Sequence, residues 1–308
     1  MTDGKADRPV LGVMLMLGFC VLAPIGDASA KALGATMALG QLLFVRFVIQ
    51  ATVLGPVILA TGGTYRMTPR IFRLTAIRTT LHIFGIGMMF SSLRYLPLAD
   101  AVAIAFVMPF IMLLLGRFFL GEEVGRRRII ACAVGFVGTL LVVQPSFAAV
   151  GWPALLPLGV AVVFALFMLV TRHMAKDVDA ITLQAVSGLM ATGVLGVAMV
   201  GFSGYAMFAW KTPSGTEIPL LLSIGLVGTV AHLLMTWSLR YAPSATLAPM
   251  QYLEIPFATI VGWIAFGDLP NGLAAIGIAI TMGAGLYIIW RERRQAQVLA
   301  VRTAAAES

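Results

Sequence analysis

Residues 93–122 read LRYLPLADAVAIAFVMPFIMLLLGRFFLGE, and residues 239–268 read LRYAPSATLAPMQYLEIPFATIVGWIAFGD. The two stretches align without a gap at an offset of 146 residues. Leu-Arg-Tyr opens both and a proline follows two residues later. Ala99 then coincides with Ala245, Gly116 with Gly262 and Gly121 with Gly267, and Glu122 faces Asp268. Shared apolar composition gives scattered matches, but not readily an ordered set like this one. The chain reads as a duplicated unit.

Hydropathy says what each unit contains. The 308 residues are 60% hydrophobic and only 11% charged, with a mean hydropathy of +0.97. A soluble domain of this length needs more charge to cover its surface. Apolar runs of roughly 20 residues recur, each long enough as a helix to cross about 30 Å of hydrocarbon. Ten are found, near 10–31, 39–60, 75–95, 98–118, 127–144, 152–172, 181–202, 218–239, 244–266 and 272–290. They are continuous rather than alternating, which favours helices over a barrel.

The quoted stretches join the third span to the fourth and the eighth to the ninth, so each half holds five spans. The predicted fold is an all-α integral membrane protein of ten transmembrane helices. Its parts are a cytoplasmic N-terminus (1–9), a first repeat (10–146), a second repeat (147–290) and a basic cytoplasmic tail (291–308). Because five is odd, the second half begins on the opposite side of the membrane, making inverted-topology repeats. Such repeats serve alternating-access transport, with solute bound near the midplane between them.

Lys and Arg set the orientation. With the N-terminus in the cytoplasm, sixteen of the 21 fall on inside segments, against Lys31, Arg94 and Lys211 outside; Arg46 and Arg78 lie within spans. This bias predicts that both termini are cytoplasmic. It also accounts for the net charge of +8, so nucleic acid is not expected as a partner. Glu122 and Glu123 beside Arg126–Arg128 read as a helix-end charge cluster on that side. Lys5, Arg8 and Ala28-Ser29-Ala30 around the first run formally resemble a cleavable signal peptide. Cleavage would leave nine spans and break the symmetry, so the segment is read as the first helix. Cys20 and Cys132 have no metal-ligand or redox spacing and read as packing residues.

An ionisable side chain at the bilayer centre costs about 2.5–3.5 kcal/mol on insertion scales, so it is expected to face a cavity or a partner. The candidates are Asp27, Lys31, Arg46, His82, His232 and Glu254. Asp27 and Lys31 are four apart and share a helix face, beside Pro24 and Gly26, which weaken the helix. They read either as a solute or proton site or as an outer helix-end pair with Lys31 snorkelling. Arg46, roughly 10 Å deep, is suited to a solute carboxylate or phosphate, or to a standing pair with Asp27 or Glu254. His82 and His232 are packing residues or proton carriers.

In Pro249-Met-Gln-Tyr-Leu-Glu-Ile-Pro256 the two prolines predict a kink on both sides of Glu254. Gln251, three residues earlier, is expected in the same polar pocket. The equivalent residues of the first half are Ala105 and Met108, so symmetry does not demand either one. Tyr252, Trp237 and Trp263 are candidate aromatic walls, with packing or an interfacial belt as the alternative for Trp263. Met14, Met16, Met88, Met89, Met108 and Met112 read as packing or lipid-facing residues.

Arg46, the LRYLPLADA stretch, Pro109, Leu-Gly-Glu-Glu at 120–123 and GFVGTLLVV at 135–143 together resemble the drug/metabolite transporter superfamily, in its ten-helix EamA branch. A narrower resemblance, in GDASAK at 26–31 and APMQYLEIPFATIVGWIAFGDLP at 248–270, is to members that import riboflavin or S-adenosylmethionine. The resemblance implies a secondary transporter of a small organic metabolite in the bacterial inner membrane, with uptake of such a solute as the first expectation. Export of amino acids or other metabolites is the alternative. Neither catalytic residues nor a metal or cofactor is predicted, and a homodimer is compatible with the sequence.

Two other classes fit less well. Gly-x-x-x-x-Gly-Lys-Ser/Thr, Gly-x-Ser-x-Gly and His-Glu-x-x-His are absent, which weighs against an ATPase or an intramembrane hydrolase. A channel does not require two inverted halves with kinked helices.

Overall fold

A computed structural model describes residues 8–290 apart from 62–64, 66, 109, 112–113, 116–117, 119–125, 243–246, 285 and 288–289. Pro109, Met112 and 120–123 therefore lie outside the described residues, as do 1–7, 291–308 and the side chains of Arg126–Arg128, Cys132 and Pro249. The described residues are helical, with no strand among them. The helices are α1 (Pro9–Gly34), α2 (Leu39–Ala60), α3 (Pro69–Ser92), α4 (Leu98–Ala105), α5 (Arg126–Val150), α6 (Leu156–Met174), α7 (Ala180–Gly201), α8 (Glu217–Tyr241), α9 (Glu254–Phe266) and α10 (Gly272–Ala284).

Local chemistry fixes several ends. Thr68 accepts from the Ile71 amide at the start of α3, and Asp179 accepts from Ile181 and Thr182 at the start of α7. Gly267 closes α9 at φ 70°, a left-handed position that costs glycine little. Six of the described segments are long and apolar enough to span a bilayer: α1, α2, most of α5, α6 with its leading 3₁₀ turn, α7 and α8. α3 is as long but carries Arg70, Arg73 and Arg78.

Neither half keeps its fourth helix continuous. α4 stops at Ala105, and Phe106 and Val107 form a turn. In the second half a 3₁₀ segment, Ala248–Leu253, leads into α9 at Glu254. The offset of 146 puts Phe106 and Val107 opposite Tyr252 and Leu253, so the two interruptions fall at equivalent positions. Pro256 is in the first turn of α9, where a missing amide hydrogen is harmless. The expected kink at Glu254 is thus a change from 3₁₀ to α geometry. Pro24, by contrast, does not break α1, which runs unbroken from Pro9 to Gly34.

Packing brings the halves together helix by helix. α1 lies antiparallel along α8, with Gly12 against Ala242, Gly18 against Leu234 and Ser29 Oγ 2.9 Å from Ser223 Oγ. α2 lies along α7, where Gly188 meets Ala51 and Gln50 donates to the Gln184 carbonyl at 2.7 Å. α3 lies along α6, with Gly85 on Phe164 and Gly159 on Met88, and α4 packs on α9. α5 and α10 meet at Gly138 and Gly277, where an added Cβ would reach backbone atoms within 3 Å. Small residues at such crossings are how apolar helices approach closely when lipid is no worse a neighbour than leucine.

Adding or subtracting five from each helix number turns α1·α8 into α3·α6 and α1·α9 into α4·α6. It turns α2·α8 into α3·α7 and leaves α2·α7 and α4·α9 unchanged, and all of these contacts are present. Equivalent residues also touch: the Phe106 and Tyr252 ring centroids are 5.3 Å apart.

Candidate functional site

A cavity of about 790 Å³, counting the space through which it opens, lies where the halves meet. Its walls come from α1, α2, α3, α4, α6, α8 and α9. They are mostly apolar, with Phe19, Phe90, Phe106 and Phe164 supplying rings. Four ionisable side chains line it: Asp27, Arg46, His232 and Glu254.

Arg46 is 2% exposed, with its guanidinium laid on Gly228, where an added Cβ would meet Cζ at 3.1 Å. Its Nη2 is 3.1 Å from His232 Nδ1, while Nη1 has no hydrogen-bond partner among the described residues. His232 Nδ1 is also 3.0 Å from the Gly228 carbonyl. The proton's place on the ring therefore decides whether Nδ1 accepts from Arg46 or donates to Gly228. Asp27 on α1 and Glu254 on α9 are half-buried, and among the described residues neither has a hydrogen bond or an ion pair. The standing pair of Arg46 with either carboxylate, one of the two sequence readings, is thus not formed.

Beyond the cavity along α3 lies a polar layer that the sequence did not mark as a site. Arg78, fully buried on α3, donates from Nε to Thr171 Oγ1 at 2.8 Å, from Nη1 to Ser187 Oγ at 2.9 Å and from Nη2 to Thr236 Oγ1 at 3.3 Å. Its guanidinium carbon also sits 4.4 Å from the Phe167 ring centroid. No carboxylate pairs with it among the described residues. Gln184 reinforces the layer, donating to the His232 carbonyl at 2.8 Å and to Thr236 at 3.0 Å. Arg78 is about 10 Å along α3 from the cavity residue Gly85, on the side where Arg70, His173 and Arg240 cluster.

His82 occupies the level between. It does not line the cavity; its ring stacks on Phe167 at 4.7 Å and lies 4.5 Å from that of His232. Neither of its nitrogens has a partner among the described residues.

The other candidates are placed elsewhere. Gln251 does not share Glu254's pocket: its Nε2 is 3.1 Å from Met168 Sδ and 3.7 Å from Met16 Sδ. The reason is depth. A 3₁₀ rise of about 2 Å per residue sets Gln251 roughly 6 Å from Glu254, past the cavity's end. Lys31 does not pair with Asp27. Its Nζ is 2.5 Å from Asp268 Oδ2 and 4.7 Å from the Phe266 centroid, joining α1 to the end of α9. Tyr252 is buried against Phe106, and Trp237 is half-buried outside the cavity. Trp263 is 57% exposed on the surface.

The aromatic walls are phenylalanines instead, and Met89 and Met108 line the cavity rather than only packing. Met108 and Glu254 are equivalent residues of the two halves, so symmetry brings both to the cavity while sequence charges only one. Cys20 is buried, with Sγ 3.7 Å from the Met250 carbonyl.

Comparison with known proteins agrees with this architecture. The model of the EamA-like transporter family matches twice, over residues 10–144 and 151–291. A riboflavin transporter of Rhizobium johnstonii is 31% identical over 71% of this chain and 70% of its own. An S-adenosylmethionine uptake transporter of Rickettsia prowazekii is 25% identical over 92% of this chain and 94% of its own. A solved crystal structure superposes with a TM-score of 0.66 at 19% identity, covering 93% of this chain and 97% of that one, and so speaks to fold alone. With both halves matched by one family model and the helices packed around a charged cavity, the chain belongs to the EamA-like transporter family of the drug/metabolite transporter superfamily, a multi-pass membrane transporter and not an enzyme.

Proposed function

We propose that this chain carries a small organic metabolite across the bacterial inner membrane by alternating access, in the direction of uptake. Its two five-helix halves would be inverted repeats with both termini in the cytoplasm. The observation that carries this reading is a cavity between the halves lined by Asp27, Arg46 and Glu254, which form no ion pair among the described residues, with the buried Arg78 layer beyond one end of it. Charges left unpaired against apolar walls are costly unless water or a solute satisfies them, so they mark the place where the solute sits.

The contact pattern that survives a shift of five helices, and the two matches to one family model, support inverted repeats. Placing the Arg70, His173 and Arg240 side in the cytoplasm follows the positive-inside rule. The Arg78 layer is then the inner barrier and the cavity belongs to the outward-facing state, whereas a channel would need an uninterrupted path. Riboflavin and S-adenosylmethionine are the solutes named for similar proteins, and both are first candidates here.

The test is counterflow in proteoliposomes. Saturable uptake of a labelled solute, accelerated by unlabelled solute on the far side, is expected. Flux that neither saturates nor responds to the far side would point to a pore. A reporter fused after Ser308 should be cytoplasmic and one inserted in the 203–217 loop periplasmic; both on one side would remove the inverted repeat.

A further inference from the structure

Three side chains facing the cavity carry a formal charge, and no two of them are in hydrogen-bond or ion-pair contact. Asp27 and Glu254 have no hydrogen bond or ion pair among the described residues. Among the described residues Arg46 hydrogen-bonds to an imidazole nitrogen alone and leaves Nη1 unused, although the residue is 2% exposed. A buried guanidinium on a cavity wall with hydrogen-bonding capacity left over among the described residues is complementary to a carboxylate. No group of three or more His, Cys, Asp or Glu among the described residues could hold a metal ion.

During alternating access the cavity must close around its solute and shed water, and the solute then has to supply what water supplied. Two negative groups and one positive group are complemented by two positive groups and one negative. An α-amino acid has one ammonium and one carboxylate, which serves Arg46 and one of the acids. The second acid asks for another cation. The four phenylalanines of the wall suit a planar or apolar remainder, and ring faces tolerate a neighbouring cation. An uncharged flavin ring system could hydrogen-bond to these groups but would leave their three charges uncompensated.

Taking the carrier reading as given, we propose that the cavity accepts an α-amino-acid derivative bearing a second cationic centre. Its carboxylate sits on Arg46 and its two positive groups lie beside Asp27 and Glu254.

The experiment uses two probes that differ by that one charge. S-adenosylmethionine has a sulfonium; S-adenosylhomocysteine has a thioether in its place. Binding to the full chain in lipid nanodiscs is measured for both, with riboflavin as the uncharged comparison. The sulfonium compound should bind at least about tenfold more tightly than the thioether. Glu254→Gln or Asp27→Asn should shrink that ratio to within about threefold, and Glu254→Asp, which keeps the charge, should retain it. Equal binding of the pair by the unmodified chain, tighter binding of riboflavin, or a preference that persists in both neutralised variants would overturn the proposal. The wild-type ratio needs no variant to fold. Saturable counterflow of a solute with no preference for the added charge would remove the charge class and leave the carrier intact. Loss of saturable flux for every solute tried would remove both.

Discussion

Arg46 and Arg78 are the same side chain in nearly the same degree of burial, in two layers with His82 between them, and their surroundings differ. Arg78 spends each of its three nitrogens on a hydroxyl from α6, α7 or α8 and rests on the Phe167 ring. Arg46, 5.4 Å from the Phe47 ring centroid, has one hydrogen-bond neighbour at Nη2 and none at Nη1 among the described residues, and it faces a cavity with two acids on its walls. A saturated guanidinium joins helices, and an unsaturated one awaits a partner. Burial alone does not separate these roles; the inventory of partners does.

Arg78→Ala tests that contrast at its largest. Removing the side chain abolishes three charged hydrogen bonds and opens a cavity between α3 and the second half, so stability should fall by about 3 kcal/mol or more, read as the thermal midpoint in nanodiscs. A loss no larger than that of Arg46→Ala would erase the distinction between seal and site. Arg46→Gln should behave oppositely, with transport falling by about thirtyfold, roughly 2 kcal/mol of lost solute contact, while the thermal midpoint stays nearly unchanged.

Gly228→Ala sharpens the comparison without touching either arginine. Its methyl would lie 3.1 Å from Arg46 Cζ, so the guanidinium must shift. About a tenfold rise in KM is expected, from roughly 1.4 kcal/mol of lost solute binding. An unchanged KM would show that Arg46's placement is not needed. The smallest effect belongs to the rim. Lys31 and Asp268 keep 17% and 33% side-chain exposure, so a double-mutant cycle with Lys31→Met and Asp268→Asn should return a coupling below about 1 kcal/mol. A coupling of several kcal/mol would make that pair a latch comparable with the Arg78 layer.

The polar residues show where sequence reading stops. Asp27, Arg46, His232 and Glu254 were legible because each is expensive in a membrane span, and the cavity collects all four. Lys31 and Gln251 follow from the same local logic and point elsewhere, since i, i+3 and i, i+4 spacing gives a shared helix face but neither its depth nor its neighbour. Arg78 was visible as a charge within a span. Its partners were not, because Thr171, Ser187 and Thr236 are ordinary helix residues until three separate helices converge on one guanidinium. The phenylalanine walls were hidden for a simpler reason: in an apolar span an aromatic ring carries no mark of which way it faces.

The sequence by itself determined the helical membrane class, the duplication at an offset of 146 and the interruption at Glu254. Hydropathy, charge asymmetry and proline act within a span or its flanks and need no distant partner. Only the tertiary structure decided how each helix is turned, that α1 meets α8 while α3 meets α6, and which of two buried arginines is left open. Helix rotation in a lipid-embedded bundle is set by close approach of small residues and by a few hydrogen bonds between helices far apart in the chain, so no single span contains the information.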